Sequence, residues 1–151
     1  FSFYSVYSLK FNYINYNFFI LILIICISTD LGGYLFGKIF KGPKLTKISP
    51  NKTYTGVFGS FLMSTLFLLI FLKLDFLNKN IIFSYEIIIF TLLVSGISQI
   101  GDLIISYFKR ISNIKDTGSI IPGHGGLLDR IDGMIFAFPF SYLLILNNIL
   151  I

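Results

Sequence analysis

The 151-residue sequence has one cysteine, one histidine, four prolines and no tryptophan. Cys26 alone, inside an apolar run, excludes a disulfide framework and says nothing about redox compartment. It also offers no accessible thiol nucleophile, and no serine stands in a nucleophile elbow. No GxxxxGK[ST] motif occurs, which excludes an ordinary nucleotide hydrolase site. The chain opens on Phe1 with no charged region leading to a cleavage site, so neither an initiator nor a signal peptide is read there and a fragment is expected. There is no internal repeat and no low-complexity linker.

Charge is scarce as well, at 13% of residues, while 55% are hydrophobic and 18% aromatic, with a mean hydropathy of +0.84. That is more apolar surface than a soluble domain of this length can bury, and it predicts an all-α, polytopic integral membrane bundle in a single transmembrane domain over residues 1–151. A span needs about 20 apolar residues, and four stretches qualify: Tyr13 to Thr29, Gly56 to Leu72, Tyr85 to Phe108 and Ile131 to Ile151.

The net charge of +5 need not mean nucleic acid, and no nucleic-acid partner is expected. Lys38, Lys41, Lys44, Lys47 and Lys52 separate the first two spans with no acid among them, and Lys109, Arg110, Lys115 and Arg130 separate the last two. Both loops therefore read as cytoplasmic and both termini as external. Tyr13 and Tyr16 suit an interfacial belt, and Pro139 predicts a kink. Gly56, Ser60 and Ser64 form a face of small residues that invites close helix approach.

In the third span, Ser95, Ser98, Gln99, Asp102 and Ser106 recur at three- and four-residue spacing and share one helical stripe. A carboxylate inside a span is costly, so Asp102 is expected to face a polar cavity or a cation. It stands seven residues before Lys109, about 10 Å below the helix end and near headgroup depth. Asp30 closes the first span and Asp129 and Asp132 open the fourth, so four carboxylates gather at one side of the membrane. Asp129 and Asp132 have the spacing of N-cap and N3 residues, and capping alone could account for either.

Capping does not account for the preceding "PGHGG", whose Pro122, Gly123, Gly125 and Gly126 allow backbone N–H groups to converge as in anion-binding loops. His124 could contact phosphate, act as acid or base, or serve the turn alone. In "KGPKLTKISPNKTYTG", Ser49 and Pro50 read as N-cap and N1, which sets Asn51, Lys52 and Thr53 at a helix N-terminus suited to phosphate. Lys38, Lys41, Lys44 and Lys47 read as topology signals, and Lys52 as the better ligand candidate. Clustered carboxylates repel unless a cation sits among them, and with lysines and glycine loops nearby they suggest Mg2+ carrying phosphates. Phosphoryl and nucleotidyl transfer need this positioning and charge neutralisation, not a covalent nucleophile.

Residues 98–132, "SQIGDLIISYFKRISNIKDTGSIIPGHGGLLDRID", resemble the signature of the phosphatidate cytidylyltransferases, or CDP-diacylglycerol synthases. The segment 28–56, "STDLGGYLFGKIFKGPKLTKISPNKTYTG", is similar to their other marked segment, in the same order. The resemblance rests on Ser106, Lys109 and Arg110, on Lys115 and Asp116, on Pro122, His124, Gly125 and Gly126, and on Asp129, Arg130 and Asp132. Thr55 and Ile105 stand where many members carry Glu. Family members are roughly twice as long, so a C-terminal half is expected.

The resemblance implies that CTP and phosphatidate give CDP-diacylglycerol and diphosphate. It implies metal ligation by Asp102 and Asp129 with Asp132 close by, catalytic roles for Lys109, Arg110 and His124, and phosphate contacts from Lys109, Arg110, Lys115 and Arg130. Ser49, Asn51, Lys52 and Thr53 would form another wall, with Asp30, Asp116, Gly125 and Gly126 also at the substrates. It further implies a magnesium-dependent homodimer in membrane lipid, in the bacterial inner membrane, with its site facing the cytoplasm.

An ion-coupled transporter would need polar residues continuing outward, yet Ile87 to Val94 is apolar apart from Thr91. A CDP-alcohol phosphatidyltransferase would show D-G-x-x-A-R, which is missing after Asp132 and Gly133. A CTP-dependent polyprenol kinase is a closer rival, against which "PGHGG" with "DRID" favours the cytidylyltransferases.

Overall fold

Backbone groups in hydrocarbon must be satisfied within their own segment, and this chain does so with helices. The computed structural model describes residues 1–11, 16–46, 49, 52–74, 84–114 and 128–147, with side chains of the last stretch from residue 131. Five helices are described: α1 (Ser2–Phe11), α2 (Tyr16–Phe40), α3 (Tyr54–Lys73), α4 (Tyr85–Ile111) and α5 (Leu128–Leu146). The only β pairing among the described residues is an isolated bridge between Lys44 and Thr53. Helices α2, α3 and α4 are long and apolar enough to cross a membrane, while the apolar part of α5, Ile131–Leu146, is shorter. The molecule is an all-α membrane bundle.

Its polarity is inverted relative to a soluble protein. Ile27, Leu35, Phe58, Leu69, Ile89 and Ile100 are exposed, whereas Ser28, Thr29, Ser60, Ser64, Thr91, Ser95 and Ser98 are buried. Apolar side chains gain nothing by leaving lipid, so small hydroxyl residues take the helix contacts. Leu21, Ile22, Ile25, Phe90, Val94 and Phe138 fill the remaining interior.

The first expected span ended at Thr29, but α2 continues through Asp30, Leu31, Gly32 and Gly33 to Phe40. Glycine weakens a helix interior by about 1 kcal/mol. Here packing against α3 overrides it, because a Cβ on Gly32 would stand 2.5 Å from the Gly59 carbonyl oxygen, and one on Gly56 2.8 Å from that of Gly33. The Ser60 hydroxyl donates to the Thr29 carbonyl at 2.7 Å across the same seam. The small-residue face of α3 thus has its partner. Lys41 ends α2 with a left-handed φ of 42° and donates its N–H to the Gly37 carbonyl at 3.2 Å.

The expected helix start at Ser49 and Pro50 is corrected. Thr53 is the N-cap of α3, and its hydroxyl accepts the Gly56 N–H at 3.1 Å. Bonds from Leu45 N–H to Lys52 O, 2.8 Å, and from Tyr54 N–H to Pro43 O, 3.1 Å, tie Pro43 and Leu45 to the residues on either side of Thr53. Ser49 instead belongs to a turn, its carbonyl accepting the Lys52 N–H at 3.1 Å. Likewise Asp129 and Asp132 are not N-cap and N3, since α5 already begins at Leu128.

The composition gave no warning of α1. Its ten residues rise only about 15 Å, too short to span. Pro139 lies inside α5 and lacks the N–H that the Ile135 carbonyl would otherwise accept. The Ser2 hydroxyl of α1 donates to that carbonyl at 2.9 Å, and Tyr4 meets Tyr142 edge-on at 6.1 Å. Helix α1 therefore docks where the proline leaves α5 an unmet acceptor.

Candidate active site

The polar stripe of α4 divides along its length. Its deeper part packs: Ser95 and Ser98 are buried, and Ser95 Oγ accepts from Thr29 Oγ1 at 2.8 Å. Gln99 Nε2 reaches the same oxygen at 3.5 Å. The outer part, Gln99, Asp102 and Ser106, lines a cavity of about 560 Å³. That volume falls in the usual range for small-molecule sites.

Five segments build its wall, α3 itself lending Gly56, Val57 and Ser60. Helix α2 contributes Asp30 and Tyr34, the loop before α3 contributes Ser49, Lys52 and Thr53, and α5 contributes Asp132 opposite Asp102 of α4. Two glycines set how closely α5 approaches α4. A Cβ on Gly133 would meet Ser98 Oγ at 2.6 Å and Ser98 O at 2.9 Å, and one on Gly101 would meet the Phe136 ring at 2.7 Å. Any side chain at Gly133 would push the neighbouring Asp132 away from Asp102.

Lys52 forms an ion pair with Asp102, both side chains remaining partly exposed. Lys109 Nζ lies 3.7 Å from Asp132 Oδ2, with side chains only 14% and 13% exposed, so this pair is well shielded from water. Asp132 also accepts the Gly133 N–H at 3.0 Å and lies within interaction range of the Asp102 carboxyl. Among the described residues, three carboxylates at the cavity face two lysines, which leaves an excess of negative charge and oxygen donors.

Of the residues singled out in the sequence, Asp30, Ser49, Lys52, Thr53, Asp102 and Asp132 share this cavity, and Lys109 joins it through Asp132. Arg110 is exposed in the last turn of α4 and is not part of the described wall. Lys38, Lys41 and Lys44 are exposed, as topology signals would be. Asp129 and Arg130 lie in the first turn of α5 with side chains outside the described residues, and Asn51, Lys115, Asp116, His124, Gly125 and Gly126 fall outside them altogether.

Tyr34 was missed, although it sits one helical turn beyond Asp30 on the same face, and it is the one aromatic residue of the described wall. Thr55, at a position where related sequences were expected to carry Glu, closes the basic loop. Its hydroxyl accepts the Gly42 N–H at 3.3 Å and bonds to Thr53 Oγ1 at 3.0 Å.

Comparison with known proteins finds relatives of this chain. The phosphatidate cytidylyltransferase of Rickettsia typhi is 44% identical over 126 residues, covering 80% of this chain and 55% of the relative. That of Staphylococcus aureus strain COL is 40% identical over 147 residues, covering 97% and 54%. That of Staphylococcus epidermidis strain ATCC 12228 is 41% identical over 121 residues, covering 80% and 45%. The chain spans about half the length of these curated relatives. The sequence profile of the cytidylyltransferase family matches residues 1–147, which is nearly the whole chain, and on that match this protein belongs to the cytidylyltransferase family.

Proposed function

We propose that this chain carries the catalytic site of a phosphatidate cytidylyltransferase, converting CTP and phosphatidate to CDP-diacylglycerol and diphosphate. The observation that carries the reading is the convergence of Asp30 of α2, Asp102 of α4 and Asp132 of α5 with Lys52 on one cavity. Such a cavity admits a lipid phosphate laterally at headgroup level and a nucleotide from the water. A phosphatidate oxygen forms a bond to the α-phosphorus of CTP while the bond from that phosphorus to the bridging oxygen of the diphosphate breaks. Diphosphate leaves with that electron pair. Lys52 and Lys109 balance charge on the phosphates, and the wall of α2, α4 and α5 holds the two reactants in line.

Asp102 and Asp132 suit Mg2+, which takes hard oxygen donors and typically uses one or two carboxylates together with substrate phosphates. Among the described residues no third acidic or histidine side chain joins them at ligand distance, and Asp129 is the proposed addition. When bound, Mg2+ would neutralise charge on the α-phosphate and on the leaving diphosphate. The site is proposed to face the cytoplasm of a bacterial inner membrane in a homodimer. This reading is supported by the charge pattern of the sequence, with lysines before α3 and Lys109 and Arg110 closing α4, as in cytoplasmic segments. A transport path is disfavoured, because Thr91, the next polar residue of α4 beyond Ser95, turns its hydroxyl onto its own helix and donates to the Ile87 carbonyl at 2.8 Å.

The test is to incubate membranes containing this chain with labelled CTP, phosphatidate and Mg2+. A CTP-dependent liponucleotide is expected. Asp102→Asn should lower its formation about 100-fold or more while the protein stays in the membrane. Wild-type turnover in that variant would remove Asp102 from the mechanism.

A further inference from the structure

The Lys52–Asp102 pair has a property that neither phosphate binding nor metal binding alone requires. Lys52 sits at the place a metal would claim, since its ammonium neutralises the carboxylate best placed to be a ligand. Its backbone is pinned: the N–H donates to Ser49 O at 3.1 Å, the carbonyl accepts from Leu45 at 2.8 Å, and the next residue caps α3. Its side chain is a different matter, a compact charge on a flexible four-carbon stem, 25% exposed within the cavity. The ammonium can therefore swing through the cavity while the Lys52 backbone stays fixed.

We propose that Lys52 is a tethered cation that occupies Asp102 in the substrate-free site and is displaced from it by the divalent ion onto the incoming phosphate. This rests on the proposed cytidylyltransferase reading for the identity of the phosphate. The consequence is a coupling of two binding events through one side chain. The metal must compete with Lys52 for Asp102, and once it wins, Lys52 is released with its charge unmatched until a phosphate arrives. Metal favours phosphate and phosphate favours metal by the same factor, as linkage demands. In the empty cavity the arrangement keeps Asp102 from standing beside Asp132 as an uncompensated like charge.

The test measures binding of Mn2+, as a paramagnetic stand-in for Mg2+, to the purified protein by electron paramagnetic resonance without nucleotide, and separately the KM for CTP. Lys52→Met keeps length and removes charge. It should tighten Mn2+ about tenfold by removing the competitor, and raise the KM for CTP by a similar factor. Lys52→Arg should weaken Mn2+ below wild type, because a guanidinium holds the carboxylate through two parallel bonds and lets go less readily.

Opposite movements of metal affinity and CTP requirement in Lys52→Met are the expected signature. Mn2+ affinity unchanged or reduced in that variant, with a normal circular dichroism spectrum, overturns the proposal, as does a turning-over wild type without a Mn2+ site. If wild-type membranes make no liponucleotide while Lys52→Met still tightens Mn2+, the cytidylyltransferase reading fails and the competition for Asp102 stands.

Discussion

At the residue scale, the contact between Ser2 and Ile135 shows how one side chain repairs a defect made elsewhere in the sequence. Pro139 removes a backbone donor, and a bare carbonyl in an apolar surrounding is costly. The Ser2 hydroxyl supplies the missing bond from another helix. Ser2→Ala should cost about 1 kcal/mol in a denaturation titration of the detergent-solubilised protein. In a Pro139→Ala background the backbone N–H returns to Ile135, so the same Ser2→Ala change should cost close to nothing; equal costs in both backgrounds would show that the hydroxyl does not serve that carbonyl. Neither end of this pair is legible alone. Ser2 lies in a run of mixed aromatic and polar residues without helical periodicity, and only the fold brings it to the proline.

At the element scale, glycines decide where the carboxylates stand. Gly133→Ala drives a methyl group into Ser98, including its backbone, and should shift α5 enough to separate Asp132 from Asp102. We expect liponucleotide formation to fall about tenfold or more, a displacement near the reacting groups being expensive. Gly96→Ala is the contrast: its added Cβ would lie 3.8 Å from the Phe61 ring, an ordinary contact, and the helix should gain about 0.5–1 kcal/mol, read as a higher thermal unfolding midpoint.

The polar stripe of α4 and the small-residue face of α3 were readable because helical periodicity survives whatever packs against it. The end of α2 was not, since Asp30, Gly32 and Gly33 carry the composition of a helix stop and are kept helical by α3. The start of α3 was misplaced for a related reason: Ser49 and Pro50 satisfy the local rule for a cap, but the pairing of Lys44 with Thr53 selects Thr53 instead. The glycine loop at 122–126 lies outside the described residues, so its reading stays with the sequence alone.

At the scale of the whole molecule, the distribution of lysine and arginine assigns the two basic loops to one side of the membrane and the connection between α3 and α4 to the other. Cys26 is fully buried, so the native thiol contributes little background to a labelling experiment. On the proposed orientation, single cysteines at the exposed positions Lys44 and Arg110 should react with a membrane-impermeant maleimide only from the cytoplasmic face, and one at Lys73 only from the opposite face. Labelling of all three from one side would overturn the proposed orientation and, with it, the proposed access of nucleotide to the cavity.

The cavity wall draws on α2, α3 with the loop before it, α4 and α5, helices brought together only in the folded bundle. An occupant touching all of them acts as a rivet through separate plates. Whatever free energy it gains on seating must be given up before any one plate can come away, so the assembled bundle and its cargo hold each other in place.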